Sequence, residues 1–337
     1  MAASISGIGL SLSAANSKFG KQSTVLQGKR IGIIGLDTSH SVAFTKSLNN
    51  HEVNDGFNGY RIVAAYPYGS RDIVSSTERI PGYIEEVSAL GVEIVESIEK
   101  LLDRVDLVML ETNDGRLHLE QSIPVILARK PIFIDKPMSA SLADAIVIFE
   151  TARKHNVPVF SSSSLRYISG MDEIAAGKIG KIVGAETYSP AKLEKTHPDL
   201  FWYGIHGVET LFAAMGTGCK SVIRVSNQDT DLVIGTWMDG RIGTFRGIRK
   251  GKSDYGGTVF GENGISVLGS FDGYNPLLLQ IIRFFQTGDA PVRPEETIEI
   301  LAFMEAADLS KANNCTSVEL ETVMRRAMAE ANDRNIL

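Results

Sequence analysis

From Lys29 to about residue 160, short β-branched segments alternate with longer amphipathic segments. Strands that alternate with helices form a parallel, doubly wound sheet, because each crossover between parallel strands uses one helix. This part of the chain is therefore predicted to be an α/β domain, residues 29–160. Its predicted strands are Arg30–Gly35, Arg61–Tyr66, Val92–Val95, Val105–Leu110, Pro131–Asp135 and Val157–Ser161.

After residue 160 the pattern changes to strands that are joined by tight turns. Asp239-Gly240 separates two alternating runs, which is a strong signal for a two-residue hairpin. Another pair of strands flanks Glu262-Asn263-Gly264. Residues 161–337 are therefore predicted to form a C-terminal α+β domain with a mostly antiparallel sheet, and a chain of 337 residues is long enough for two domains.

Composition excludes several classes of partner. The net charge of -6 leaves no excess of basic residues to neutralise phosphates, so no nucleic-acid partner is expected. No segment after residue 30 approaches the roughly 18 consecutive apolar residues of a membrane helix, so no membrane partner is expected. The two cysteines match no spacing of a disulfide framework or zinc site.

Residues 1–28 differ from the rest of the chain. Ala2–Ala15 is weakly apolar and rich in Ser, Ala and Gly, like the second half of an export signal, but a charged segment before it is missing. Two alternatives stay open: residues 1–16 belong to an export signal of a periplasmic protein, or residues 1–28 are a disordered tail of a cytoplasmic one. Either way this leader or tail is excluded from the predicted fold.

Three segments, in order, carry a resemblance to a known family. They are Ile31-Gly32-Ile33-Ile34-Gly35, then Val105-Asp106-Leu107-Val108 through His118 to Ile134-Asp135-Lys136-Pro137, and finally Gly204-Ile205-His206-Gly207-Val208-Glu209. The chain resembles the Gfo/Idh/MocA family of sugar oxidoreductases. The resemblance implies a Rossmann-type N-terminal domain, NAD or NADP as cofactor, a sugar or cyclitol substrate, and a homodimer or homotetramer.

The turn after the first strand departs from the dinucleotide fingerprint. Gly35, Asp37 and His40 stand where three glycines would allow the turn, the approach of the pyrophosphate and helix packing. A carboxylate about 4 Å from a pyrophosphate charge would cost about 4 kcal/mol. Two alternatives follow. Asp37, Thr38 or Ser39 caps the helix and leaves weak or absent cofactor binding, or the cofactor binds with Asp37 or His40 turned away.

Further cofactor contacts are expected at Tyr66, Glu111 and Asp135. Tyr66 stands near the place where an acid usually binds the ribose, so NAD and NADP are not distinguished. Glu111 and Asp114 replace parts of the loop that lies under the nicotinamide in the family. They could bind sugar hydroxyls or a metal, or they could be solvated loop residues.

The resemblance places the catalytic residues at Lys136, His206 and Glu209. It implies that Lys136 lies between nicotinamide and substrate, where it also binds the cofactor, and that His206 is the general acid/base. The alternative for Lys136 is a structural salt bridge, and the alternative for His206 is a buried, hydrogen-bonded histidine. The family's orienting aspartate corresponds to Trp202, which leaves Glu209 or Asp199 for that role.

Substrate contacts are expected from Arg166, Trp202, Tyr203 and His118. His197, His206 and Glu209 could also be read as metal ligands, but their spacing is no established signature, so no metal site is predicted. The leading function is an NAD(P)-dependent oxidoreductase. The alternatives are a carbohydrate lyase, hydratase or glycosidase of the same fold, and a non-catalytic sugar or nucleotide binder.

Overall fold

The computed structural model describes residues 29–50 and 54–334. The first sheet has six parallel strands in the order β3-β2-β1-β4-β5-β6. The strands are β1 (Arg30–Ile34), β2 (Arg61–Tyr66), β3 (Glu93–Ile94), β4 (Leu107–Leu110), β5 (Ile132–Asp135) and β6 (Val159–Ser162). This order confirms the predicted doubly wound sheet, while residues 1–28, with the expected leader or tail, lie outside the described residues.

Helices cover both faces of this sheet, as the alternating pattern predicts. They are α1 (Ser39–Asn49), α2 (Val74–Thr77), α3 (Ile80–Ala89), α4 (Ile98–Leu102), α5 (His118–Leu127) and α6 (Leu142–His155). Ser141 caps α6 by accepting from the backbone N–H of Asp144, and Asn156 ends it in the left-handed conformation. These local signals fix where the longest of the six helices begins and ends.

The second sheet has seven strands in the order β12-β11-β7-β10-β9-β8-β13. They are β7 (Ile182–Pro190), β8 (Cys219–Ser226), β9 (Thr230–Trp237), β10 (Ile242–Ile248), β11 (Gly256–Gly261), β12 (Gly264–Leu268) and β13 (Val318–Glu319). Within the described chain, β7 and β10 pair in parallel and the other neighbours are antiparallel. The predicted mostly antiparallel sheet is therefore confirmed.

Within the described residues, the second half of the chain adds six more helices. They are α7 (Met171–Ala175), α8 (Asp199–Trp202), α9 (Ile205–Met215), α10 (Asn275–Thr287), α11 (Pro294–Ala312) and α12 (Leu320–Asp333). Helix α9 lies so close to β10 that a Cβ on Gly207 would be 2.3 Å from the Phe245 ring. Nowhere in residues 29–50 and 54–334 is a helix both long and apolar enough to cross a membrane.

Two buried features tie distant parts of the chain together. Arg224 is fully buried and pairs with Asp231, Asp199 and Asp308. Helix α10 packs in the core of the first sheet, where the Phe284 ring lies 4.7 Å from that of Phe160. Helix α10 lies in the second half of the chain but completes the core of the first sheet. The predicted domain boundary near residue 160 therefore stays a proposal.

Candidate functional site

A cavity of about 330 Å³ opens at the carboxyl edge of the first sheet. Lys136 reaches it from the end of β5, and His206 reaches it from the first turn of α9. The first residues of α1 also line it. In open α/β sheets, ligands bind at this edge, where loops from several strands meet.

His206 is oriented by a residue that the sequence did not point to. Its Nδ1 lies 2.7 Å from the Ser163 hydroxyl oxygen, which also accepts from the backbone N–H of Leu165 at 3.1 Å. Burial, together with the charge of Lys136, lowers the pKa of His206 well below its usual value. The imidazole is therefore neutral near pH 7 and able to accept a proton.

Glu209 lies behind the cavity and has other partners. It accepts from the Ser162 hydroxyl at 2.7 Å, from Ser163 N at 2.8 Å and from Arg166 Nε at 3.1 Å. Burial raises the pKa of Glu209 despite the charge of Arg166. Glu209 therefore positions the backbone of Ser163, and Ser163 holds His206.

Arg166 and Asp199 are also engaged away from the cavity. The Arg166 guanidinium lies between Glu209 and Glu296, which is a buried ion-pair arrangement. Asp199 pairs with Arg224 at 2.9 Å and with Lys311 at 2.5 Å, so it does not supply the orienting carboxylate. The geometry gives Arg166 and Asp199 structural contacts.

The turn after β1 is closely packed against the loop after β4. Gly35 has a φ of +90°, and a Cβ there would lie 2.5 Å from Thr112 Oγ1. The Asp37 carboxylate accepts from Asn113 N at 2.9 Å and from Ser70 N at 3.1 Å. It thus links the loops after β4 and β2, and it is fully buried.

Asp37 is not the cap of α1. The N-cap is Thr38, whose hydroxyl accepts from Ser41 N at 3.4 Å. Burial raises the pKa of Asp37 to about 6, against the opposing effect of its two backbone donors. Thr38, one of the three candidate caps, therefore caps α1, while the Asp37 carboxylate is directed away from the start of the helix.

These residues fit a nicotinamide dinucleotide at two places. Thr38, Ser39 and His40 present the N-terminus of α1 to the cavity, which is a favourable position for a phosphate. Lys136 lies in the same cavity, where the resemblance expects the nicotinamide. Tyr66 adds no acid for the ribose; its carbonyl accepts from Gly35 N, and its ring packs edge-on against Tyr68.

Three buried side chains converge beside Lys136. His40 Nδ1 lies 2.9 Å from Asp135 Oδ2, and Glu111 lies next to both. Burial and the charge of Asp135 raise the pKa of Glu111 well above its usual value. Glu111 is therefore no solvated loop residue. The signal that could have revealed this convergence is position, since all three residues lie at or shortly after the carboxyl ends of the neighbouring strands β1, β4 and β5.

His118 lies inside the protein and not in the cavity. Its Nε2 is 2.7 Å from the Thr112 carbonyl oxygen, and its Nδ1 is 3.0 Å from that of Pro137 and 3.2 Å from that of Met138. It therefore joins the loop after β4 to the loop after β5. A direct contact between His118 and the substrate has no support from this placement.

Asp114 and His197 form a separate pair that links the two sheets. His197 Nε2 lies 3.2 Å from Asp114 Oδ1, and Arg116 binds the same carboxylate. The partners of His197 thus differ from those of His206 and Glu209, and the three do not share a common point. These contacts do not support a metal site formed by His197, His206 and Glu209.

Aromatic side chains form one wall of the cavity. Trp202 and Tyr203, which the sequence indicated, line it together with Tyr255, Phe271 and Tyr274. The last three come from loops of the second half, and no local pattern marked them. A wall of this kind suits the apolar face of a sugar or cyclitol ring.

Residues 29–163 match the model of a family described as "Oxidoreductase family, NAD-binding Rossmann fold", GFO_IDH_MocA. Over these residues the chain is similar to proteins of the Gfo/Idh/MocA family. The predicted resemblance is thereby confirmed, and the description supports the expected cofactor, NAD or NADP. A 1,5-anhydro-D-fructose reductase of Ensifer adhaerens is 32% identical over 120 residues, which are 34% of this chain and 35% of that protein.

Solved structures share the fold over most of the chain. A probable dehydrogenase from Thermotoga maritima superposes with a TM-score of 0.70 at 21% identity, over 87% of this chain and 99% of that one. A scyllo-inositol dehydrogenase from Lactobacillus casei, solved with NAD(H) and scyllo-inositol, gives a TM-score of 0.68 at 16% identity, over 88% and 100%. The likeness extends beyond the Gfo/Idh/MocA match to the second sheet.

Proposed function

We propose that this protein is an NAD(P)-dependent oxidoreductase that acts on a hydroxyl group of a sugar or cyclitol. The observation that carries the proposal is that Lys136, His206 and the N-terminus of α1 line one cavity. A proton-transfer pair and a phosphate-binding helix end are the two requirements that the chain itself must meet. The family match over residues 29–163 supports the cofactor class.

The protein's own residues would handle the proton. A bound nicotinamide would supply the acceptor or donor of the hydride. In the tautomer that donates Nδ1–H to Ser163, neutral His206 has a free lone pair on Nε2 to take the hydroxyl proton. The Lys136 ammonium would donate a hydrogen bond to the same substrate oxygen and stabilise its developing negative charge.

The substrate class follows from the walls of the cavity and from its relatives. Trp202 and Tyr203 offer ring faces beside His206, and the Tyr203 ring is 5.4 Å from that of His206. The relatives named above are an anhydrofructose reductase and a scyllo-inositol dehydrogenase, both of which take polyhydroxylated rings. A ring with several hydroxyl groups is therefore the proposed substrate.

The test is a steady-state assay of NAD(H) and NADP(H) turnover with scyllo-inositol, myo-inositol and 1,5-anhydro-D-fructose. Lys136→Met and His206→Asn should each lower kcat/KM by about 100-fold or more, because each removes a group that acts on the reacting oxygen. The exposed Lys178→Met is the matched control and should retain full turnover. Turnover that survives in both cavity variants would refute the assignment.

The assembly remains a prediction. Ile265 and Val267 of β12 and Val183 of β7 expose 68%, 73% and 48% of their surface. Exposed apolar side chains on a sheet commonly mark a subunit interface. We propose a homodimer or homotetramer, and native mass spectrometry of the full chain checks it.

A further inference from the structure

His40, Glu111 and Asp135 form a compact buried cluster below the cavity. They leave 7%, 0% and 1% of their surface exposed. One nitrogen or oxygen atom from each lies within 4.8 Å of the other two. Three neighbouring elements deliver them, since His40 begins α1, Glu111 follows β4 and Asp135 ends β5.

The Glu111 carboxyl group has no hydrogen-bond donor among the described residues, and this holds for both of its oxygens. Asp135, by contrast, lies next to His40 and Lys136. His40 Nδ1 and Asp135 Oδ2 are 2.9 Å apart, which is the distance of an ion pair. A buried carboxylate without donors is costly, typically by several kcal/mol, and such groups normally pair with a cation or a metal.

The spacing suits a shared metal ion. With metal–ligand bonds of about 2.1 Å, two ligand atoms are about 3 Å apart in octahedral coordination and about 3.4 Å apart in a tetrahedral zinc site. The separation of 2.9 Å between His40 Nδ1 and Asp135 Oδ2 is close to the first value and would widen slightly for the second. Glu111 is fully buried and directed into the same space, so small side-chain shifts would close the third bond.

The local charge points in the same direction. Asp37, Glu111 and Asp135 are three neighbouring carboxyl groups, and Asp37 and Asp135 both act on Glu111. A divalent ion bound here would be attracted by the carboxylates and would favour the ionised form of Glu111.

We propose that His40, Glu111 and Asp135 bind a divalent transition-metal ion, Zn²⁺ or Mn²⁺. An imidazole together with two carboxylates favours such ions over Mg²⁺ and Ca²⁺, which prefer oxygen ligands alone. Three protein ligands leave at least one coordination position open. Because His40 and Lys136 also line the cavity, that position would face a substrate oxygen. The proposal does not depend on the proposed dehydrogenase activity.

The test measures metal binding by the full, untagged chain after removal of metals with EDTA. All variants carry Cys315→Ser, because the exposed Cys315 thiol could bind zinc adventitiously. Calorimetry with ZnCl₂ and MnCl₂ should show one site. Glu111→Gln, which keeps the shape and removes the charge, should weaken binding by about 100-fold or more.

Two controls separate the site from other causes. His155→Gln removes another histidine whose Nε2 has no hydrogen-bond partner and should leave the affinity unchanged. Without metal, Glu111→Gln should melt at or above the temperature of the parent, since it removes an unpaired buried carboxylate. If Glu111→Gln does not fold, Asp135→Asn takes its place in the same titration.

Two outcomes would overturn the proposal. One is that the parent binds neither ion, and the other is that the Glu111 or Asp135 variant binds as tightly as the parent. NADH fluorescence with the same metal-free protein reports dinucleotide binding separately. A failure of the metal site is therefore distinguishable from a failure of the proposed function.

Discussion

Replacement of Asp37 by asparagine should change how the stability of the protein depends on pH. Asp37 is fully buried, and burial raises its pKa from 3.8 to about 6. Asparagine has nearly the same shape and keeps one acceptor for the backbone N–H groups of Asn113 and Ser70. The variant therefore removes the charge and leaves most of the packing.

The sign follows from proton binding. Between about pH 3.8 and pH 6 the folded protein keeps the Asp37 proton while the unfolded chain has lost it. This proton stabilises the folded protein fully below the pKa of Asp37 in the unfolded chain. The stabilisation is lost as the pH rises through the pKa of Asp37 in the folded protein. A difference of about 2 in pKa corresponds to about 3 kcal/mol. The unfolding free energy of Asp37→Asn, relative to that of the parent, should therefore rise by about 3 kcal/mol between about pH 4 and pH 7.5.

The assay is urea unfolding of parent and variant at a series of pH values, followed by circular dichroism. The quantity of interest is the difference in unfolding free energy between the two proteins, because every other titrating group cancels in it. The exposed Asp272→Asn is the control and should show little change with pH. A difference for Asp37→Asn that stays constant across this range would refute the assignment of a buried, high-pKa carboxylate.

Three further predictions test contacts of the second half. Ser163→Ala removes the 2.7 Å contact to His206 and should lower kcat by up to about 100-fold with little change in KM, as steady-state kinetics will show. Arg224→Met removes a buried cation that Asp231, Asp199 and Asp308 share, and it should cost about 3–5 kcal/mol in urea unfolding; a loss below about 1 kcal/mol would contradict the buried network. Gly207→Ala places a methyl group against Phe245 and should lower the melting temperature, through a loss of about 1–3 kcal/mol.

The strands of the first sheet were largely predictable from the sequence because their side chains repeat a simple burial pattern. Arg61–Tyr66 was predicted with the bounds that the structure has, and Arg30–Gly35 differs by one residue. The alternation of strands and helices also fixed the edge at which Lys136 lies. The amphipathic pattern of residues 276–286 is typical of a helix, but it does not predict that α10 packs on the first sheet, since amphipathicity shows which face is buried and not against what.

The site was less predictable because its contacts join residues that are far apart in the chain. His206 and Glu209 are three positions apart on one helix, a spacing at which side chains can touch, yet Glu209 contacts Ser162, Ser163 and Arg166. Ser163, which holds His206, carries no sequence signature. A hydroxyl group becomes an orienting partner only when the fold places it at hydrogen-bond distance.

The two departures in the turn after β1 have different physical consequences. A glycine at position 37 would make no side-chain contacts. The Asp37 carboxylate accepts hydrogen bonds from the loops after β2 and β4, so these bonds hold the turn in place. His40 brings an imidazole to Asp135, next to the lysine that faces the substrate. The first change leaves the start of α1 available to a phosphate, while the second adds a group with metal-binding chemistry. The altered turn thus remains compatible with a dinucleotide and, at the same time, supplies the one ligand that the two carboxylates lack.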